Sequence, residues 1–474
     1  MSNNKTLSQN LILLSIISFG ILIWTFPTPE GLSDQAWHLL IIFCCTIVGI
    51  VLNPLPIGAV TSLSMIICIL TKTLTLEECL GGFADEIVWL IILAFFISHG
   101  FIKTGLGNRI AYGLILLLGR STLGLAYSLV FSDLVLAPMI PSVTARGGGI
   151  LFPIASALSK TFGSDNNHTT LSRNGGFLMK VCFQSNVITS AMFLTAMAAN
   201  PVAVKLAGLF NITITWGGWA LAACLPGLVC LVIMPLIIYY YLYPPTIKHS
   251  EEAPLLARKH LKEMGPFSLK EICMSLVFLL LIFLWMFGKE LFGINATTAA
   301  LLGFCLLLIL RLVNFEEIAG DKNTWHTFMW FAFLLAMSGF LSKLGIPLWI
   351  GNQLKSIFIN FSPLYSLILL SLVYFYIHYI FASTTAHVTV LFPTFLLLFL
   401  ESGIAKEIAA LILIFLSIFS SGLTHFGLSS APIFFATGHM KAKTWYFIGL
   451  TMSIVYLAIW ITIAPFWWKV IGLW

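Results

Sequence analysis

Two short clusters of hydroxyl-bearing and small residues hold most of the chemistry in this chain. They are Ser142-Val143-Thr144-Ala145-Arg146 and, in the second half, Ser383-Thr384-Thr385-Ala386-His387. Serine and threonine hydroxyls both donate and accept hydrogen bonds, and small neighbours let a ligand approach the backbone. Each cluster interrupts an apolar stretch, 124–160 in one case and 363–402 in the other. Both stretches read as re-entrant hairpins, because irregular backbone at membrane depth is tolerated only where protein or a water-filled cavity covers it. A helix that restarts at such a point turns free N–H groups toward an anion. Ser142, Thr144, Ser383, Thr384 and Thr385 are therefore candidate substrate ligands. One such residue alone would bond to its own helix; two matched clusters point to a site.

Arg146 and His387 hold equivalent places, each two residues after the last threonine of its cluster. A guanidinium within a bilayer is costly and usually functional, and its planar fork suits a carboxylate. Histidine is neutral or charged according to its surroundings. The competing readings are an Arg146 neutralised by Asp133 and a His387 bonded within the core. Two cationic positions of this kind would fit a ligand with two anionic ends. Further interruptions at 195–201 and 424–432 add Asn200, Thr424 and Ser429, since a proline after small residues breaks a helix and frees carbonyls. A structural kink is the plainer reading of both. Ser185-Asn186 reads as helix-packing glue, and His378 and His425 lie near the candidate cavity. No H-E-x-x-H, G-x-S-x-G, Walker loop or metal-spaced Cys/His cluster is present. The expectation is accordingly no enzyme, no cofactor and no metal.

The elements that position these residues follow from composition. The chain has 474 residues, 59% apolar and 9% charged, with a mean hydropathy of +1.00; soluble domains carry about 25% charged residues. That makes it an all-α polytopic membrane protein with no room for a soluble domain. At about 20 residues per span, about eleven spans are expected. They fall at 10–26, 36–53, 57–71, 86–102, 176–200, 216–243, 271–291, 294–313, 324–342, 405–426 and 444–467. The net charge of +6 comes from basic residues scattered singly through short loops, which excludes a nucleic-acid surface and fits orientation in the bilayer. Of nine cysteines, Cys44, Cys68, Cys224 and Cys305 lie within apolar stretches and read as packing residues. The apolar run from Leu11 to Phe26 lacks a small-residue cleavage site and reads as a retained span, not a signal peptide.

The two halves repeat. Glu77-Glu78-Cys79-Leu80-Gly81 recurs as Glu316-Glu317-Ile318-Ala319-Gly320, and Gly100-Phe101 before a Lys and a Gly recurs as Gly339-Phe340 before a Lys and a Gly. The hydroxyl clusters, each followed by Leu-Phe-Pro (151–153 and 391–393), are the third mark in the same order. The expected organisation is an N-terminal span and loop (1–35), a first repeat (36–243) with hairpin 124–160, a cytoplasmic linker (244–270) and a second repeat (271–474) with hairpin 363–402. Five spans and a hairpin per repeat force the copies to lie inverted, an arrangement typical of secondary transporters. With the N-terminus inside, the basic residues fall mostly on cytoplasmic segments, among them Lys248, Arg258, Lys259, Lys262 and Lys270 of the linker.

At Pro141 to Gly148, Phe381 to His387 and Gly422 to Gly427, continuing through Ala431 to Phe435, the chain resembles the divalent anion/sodium symporter family. Within it, the likeness is to 2-oxoglutarate/malate translocators and citrate or tartrate/succinate antiporters, over nearly the whole length. The resemblance implies a homodimer in which a scaffold holds the interface and a transport domain, made of both hairpins and the spans that follow them, moves as an elevator. Sodium-coupled members carry Ser-Asn-Thr at both hairpin tips; here Val143 and Thr384 stand where those asparagines would be. Valine offers no oxygen to a cation, and Arg146 and His387 would supply fixed positive charge close by. The expectation is an exchanger of dicarboxylates, with 2-oxoglutarate and malate as the leading pair, in the inner membrane of a bacterium or of an organelle derived from one. The alternatives are a sodium- or proton-coupled di- or tricarboxylate symporter and, more distantly, a membrane-embedded enzyme.

Overall fold

The computed structural model describes residues 2–52, 54–162, 172–358 and 361–473. Among them the only extended pairing is one antiparallel bridge between Ser121 and His249; the rest is helix, turn and loop. The first half runs through α1 (Ser2–Trp24), α2 (Asp34–Leu52), α3 (Ile57–Leu70), the short α4 (Leu76–Leu80) and α5 (Glu86–Thr104). It continues with α6 (Leu106–Leu118), α7 (Thr122–Leu136), α8 (Phe152–Thr161), α9 (Ser172–Met192), α10 (Ala199–Gly208) and α11 (Trp216–Ile237). The connector carries α12 (Glu252–Met264). The second half comprises α13 (Leu269–Phe292), α14 (Ala296–Ile309), the short α15 (Phe315–Ala319), α16 (Lys322–Lys343) and α17 (Ile346–Phe358). It closes with α18 (Pro363–Tyr376), α19 (Thr384–Glu401), α20 (Lys406–Ser420), α21 (Ala431–Phe435) and α22 (Ala442–Val470).

The order of elements from α3 to α11 recurs from α14 to α22, down to local backbone chemistry. Each series turns out of its first helix through a left-handed basic residue, Lys72 (φ 56°) or Arg311 (φ 54°). A five-residue helix with a capping box follows, Thr75 with Glu78 or Asn314 with Glu317. The next long helix leads to a left-handed glycine, Gly105 or Gly345, and then to an amphipathic helix of 13 residues. A search for apolar runs overlooks α6 and α17, because they are short and only one face is apolar. Serine caps the helix after each of them, Ser121 on α7 and Ser362 on α18. Within the linker, α12 is a further amphipathic helix that buries Ala253 and Ala257 and packs on α6.

By length and composition seven described helical segments can cross a membrane: α5, α11, α13, α16, α18, α19 and α22; six shorter apolar helices accompany them. The expected span at 176–200 is replaced by α9, a break and α10. From Asn174 to Met192, α9 is buried and carries Lys180, Gln184, Ser185 and Asn186 into the interior. The span expected at 405–426 likewise ends at Ser420. Its helix, α20, is buried at every position from Ile408 to Ser420 and packs against α9. A helix buried all round lies in the middle of a core, so these two equivalent helices form the centre. Large apolar side chains on α13 and α14, such as Leu276, Leu279, Phe283 and Leu301, are left exposed on the outside, as a lipid-facing surface requires.

Gly449 of α22 lies against the chain that follows α20. A Cβ there would stand 2.5 Å from the Leu423 carbonyl oxygen and 3.0 Å from that of Gly422, whereas one at Gly113 of α6 meets nothing within 4 Å. Gly449→Ala should lower the thermal midpoint of the purified protein. Gly113→Ala should raise stability by about 0.8 to 1 kcal/mol through helix propensity. Equal midpoints for the two variants would refute this packing.

Candidate functional site

α7 stops where Pro138 and Pro141 remove backbone donors. The chain turns and becomes helical again at Val143, passing through a wide π-type turn over Ala145–Leu151 before α8. Three consecutive glycines and Pro153, which has no N–H to give to the turn before it, accompany this widening. Ser142 caps the new helix: its Oγ accepts from the Ala145 N–H at 3.1 Å, and its carbonyl accepts from the Arg146 N–H at 2.9 Å. The second hairpin reaches the same result without proline. A 3₁₀ turn at Ile377–Ile380 leads to extended Phe381, and α19 begins. Ser383 Oγ accepts from the Ala386 N–H at 3.4 Å and its carbonyl from the His387 N–H at 3.0 Å. In both places the first N–H groups of the helix, on Val143 and Thr144 or on Thr384 and Thr385, have no acceptor within their own helix.

Both capped ends open into one cavity of about 830 Å³. Ser142, Thr144, Ser383, Thr384, Thr385 and Ser429 all line it, so six of the ten candidate residues come together. Thr144 Oγ1 donates to Ser429 Oγ at 2.8 Å and Thr384 Oγ1 to the Gly427 carbonyl at 3.3 Å, which fastens both tips to the break between α20 and α21. The positive end of a helix is equivalent to about half an elementary charge. Two such ends face the same space, and no Lys or Arg is among its described lining residues.

The other four candidates stand behind this wall. Arg146, expected to meet a carboxylate of the substrate, is fully buried against one of the protein's own. Its Nε donates to Asp133 Oδ1 at 2.6 Å, and Nη1 donates to the carbonyls of Ile140 (2.7 Å) and Ala196 (3.1 Å). Nη2 donates to Ser190 Oγ at 2.7 Å and reaches Thr189 Oγ1 at 3.4 Å. Asn186 joins this network and ties α9 to both hairpin surroundings, the polar glue expected of it. With its amide oxygen toward the Arg146 guanidinium (3.2 and 3.3 Å), its nitrogen donates to the Val143 carbonyl at 3.3 Å and to Ser430 Oγ at 2.8 Å. His387 is likewise buried, its Nδ1 2.9 Å from His378 Nδ1, and His378 Nε2 reaches the Gly427 carbonyl at 3.4 Å. Asn200 donates to the carbonyls of Ser190 and Phe193, holding the end of α9, and Thr424 is buried within the break after α20. Pro201 and Pro432 fall in the first turn of α10 and α21, so they open the next helix instead of ending the previous one.

The facing wall comes from α5 and α16 and holds two residues that reading the sequence missed. His99 Nε2 and Asp321 Oδ2 lie 2.8 Å apart, and both line the cavity. Burial pushes the Asp321 carboxyl up, but hydrogen bonds from Thr324 and His99 outweigh it and hold the group below its ordinary value. The signal was present: His99 immediately precedes the repeated Gly100-Phe101, and Asp321 immediately follows the repeated Gly320.

Broken helices whose free ends converge on a cavity in an apolar helical bundle define a membrane transport protein. The chain belongs to the family described as sodium:sulfate symporter transmembrane region, whose model covers residues 7–474. It is 47% identical over 98% of its length to a protein of Bacillus subtilis named putative malate transporter YflS, of which 96% is covered. It is 46% identical, again over 98%, to dicarboxylate transporter 1, chloroplastic, of Arabidopsis thaliana, covering 83% of that chain. The crystal structure of the Alcanivorax borkumensis YdaH transporter shares the fold, with a TM-score of 0.56 at 13% identity over 99% of this chain and 98% of the other.

Breaking a buried ion pair by removing one partner costs about 3 to 5 kcal/mol. Arg146→Gln and Asp133→Asn should therefore each reduce thermal stability strongly, and the double variant should recover the part due to the unpaired charge but not the part due to the Ile140 and Ala196 carbonyls that lose their donor. Thermal melts in detergent report this, and single variants as stable as wild type would remove the pair from its structural place.

Proposed function

We propose that this protein exchanges dicarboxylates across a bacterial-type inner membrane, with malate and 2-oxoglutarate as the leading pair. The observation that carries the reading is the pair of equivalent serine-capped helix ends facing one cavity. Each end offers backbone N–H groups and hydroxyls to one carboxylate, so two ends suit a ligand with two. The names of the relatives from Bacillus subtilis and Arabidopsis thaliana support malate and dicarboxylates as the class. Val143 and Thr384 occupy the central position of each tip; Val143 has no side-chain oxygen for a cation, and the Thr384 hydroxyl is engaged with Gly427. That favours a carrier that does not need sodium. An empty cavity leaves two positive helix ends without an anion and a bound dicarboxylate satisfies both, so the loaded form crosses more readily than the empty one. Export of one acid is thereby tied to import of another.

In this reading both hairpins, α9 to α11 and α20 to α22 move as an elevator against a scaffold that includes α5 and α16, and the cavity lies between the two. The scaffold also supplies the dimer interface, and the two repeats lie inverted. The recurrence of element order from α3 to α11 in α14 to α22 supports the repeat.

Proteoliposomes loaded with malate should take up labelled malate equally well in sodium and choline buffer, and empty vesicles should not. Uptake by empty vesicles that appears only with a sodium gradient would replace exchange by symport. For the inverted arrangement, single cysteines at Lys160, at the end of α8, and at Ser402, at the end of α19, go into a background lacking the nine natural cysteines. An impermeant thiol reagent should label them from opposite sides of the membrane; labelling from one side is the contrary result.

A further inference from the structure

His99 is the one described residue lining the cavity that can carry a positive charge. Its Nε2 lies 2.8 Å from Asp321 Oδ2, and Asp321 is already loaded with donors from the start of α16. Oδ1 accepts from the Asn323 and Thr324 N–H groups at 3.2 and 3.4 Å, and the Thr324 hydroxyl donates to Oδ2. A carboxylate held in this way only accepts, so His99 Nε2 must carry a proton. Nδ1 has no partner among the described residues, and the side chain borders the cavity and is 37% exposed, so water reaches it. Neutral, Nδ1 offers a bound carboxylate nothing but a lone pair; protonated, it donates a charge-assisted hydrogen bond.

Other charges on the elements packed against α5 are already engaged. Lys103, one turn further along α5, donates to both carboxylate oxygens of Glu317 on α15 at 2.8 Å. α14 carries no charged residue, and Glu271 of α13 pairs with Arg109 of α6. Lys205 of α10 pairs with Asp85 ahead of α5, and His326 of α16 accepts from the Gly58 N–H on α3 at 3.2 Å. Asp321 is thus the charge that His99 itself meets.

The repeat does not reproduce this pair. Aligning Gly100-Phe101 with Gly339-Phe340 sets Ser338 opposite His99, and aligning Glu77–Gly81 with Glu316–Gly320 sets Gly82 opposite Asp321. Serine does not titrate in this range, and a Cβ at Gly82 would stand 2.0 Å from the Ala332 carbonyl oxygen, so no side chain fits there. In two inverted copies, the wall that meets the cavity on the opposite face would present these counterparts.

We propose that protonated His99 is a ligand of the bound dicarboxylate on one face of the carrier only. Binding from that face takes up a proton, and binding from the other does not. The proposal rests on the reading of an inverted-repeat dicarboxylate exchanger given above.

The test uses the full-length protein in right-side-out and inverted membrane vesicles loaded with malate, with labelled malate as the probe. KM is measured at about pH 8 and about pH 6, a range across which histidine changes charge. For the wild type it should fall by about threefold or more at the lower pH in one vesicle orientation, and stay constant in the other. His99→Gln should show one KM at both pH values in both orientations. Asp321→Asn keeps a cap for α16 but removes the carboxylate that favours the imidazolium, so the fall in KM should move to lower pH. That variant carries the test if His99→Gln is not recovered folded. A wild-type pH response in both orientations, or in neither, would overturn the proposal. So would a response that persists in His99→Gln or stays in place in Asp321→Asn. Uptake into empty vesicles would refute the exchange reading alone, because the KM contrast is read from either form of uptake.

Discussion

The buried pair of Arg146 and Asp133 is the interaction on which the site depends. Breaking helices inside a membrane leaves carbonyl oxygens without donors, and hydrocarbon offers none. Arg146 answers this with the donors of one planar group, two of which reach the orphan carbonyls of Ile140 and Ala196 at the ends of two different helices. Thr195 adds to the join by donating to the Pro138 carbonyl at 2.6 Å. Asp133 makes the guanidinium tolerable at that depth, and Thr189 donates to its second oxygen at 2.8 Å. The result is a rigid seat for the first tip, so that Ser142 and Thr144 project from a fixed backbone.

The second tip is seated by weaker means. His387 and His378 share one short contact, and the Gly427 carbonyl accepts from His378 and from Thr384. Two imidazoles have fewer donors than one guanidinium, yet this hairpin ends through a 3₁₀ turn without the prolines that cost the first one its donors. The same geometry is thus reached twice from different side chains. What the two halves share is the serine cap and the free N–H groups beyond it.

On the proposed reading, recognition of an anion falls to backbone ends and hydroxyls. Full cations close to the cavity are neutralised or held behind it, and the ionisable groups on the facing wall, His99 and Asp321, pair with each other. On that reading the cavity would hold a dianion without burying a matching pair of fixed charges beside it, which keeps binding from becoming too strong to reverse.

Much of this was legible in the residues alone. Low charge and long apolar runs determined a helical membrane protein, and the matched clusters at 142–146 and 383–387 marked the two helix breaks whose tips line one cavity, because irregular backbone inside a span needs such cover. The order of the repeat was readable from Glu77 to Gly81 and its copy. Sequence pattern could not say which way Arg146 points: a guanidinium at a hairpin tip serves a substrate or a broken backbone equally well on paper, and only the positions of Asp133, Ile140 and Ala196 around it decided for the backbone. The amphipathic α6 and α17 were hidden for lack of length, and the polar α9 passed for an ordinary span. His99 and Asp321 are far apart in the chain and meet only because α5 packs beside α16. Composition is set residue by residue, whereas the partner of a buried charge is set by which helices the fold brings together.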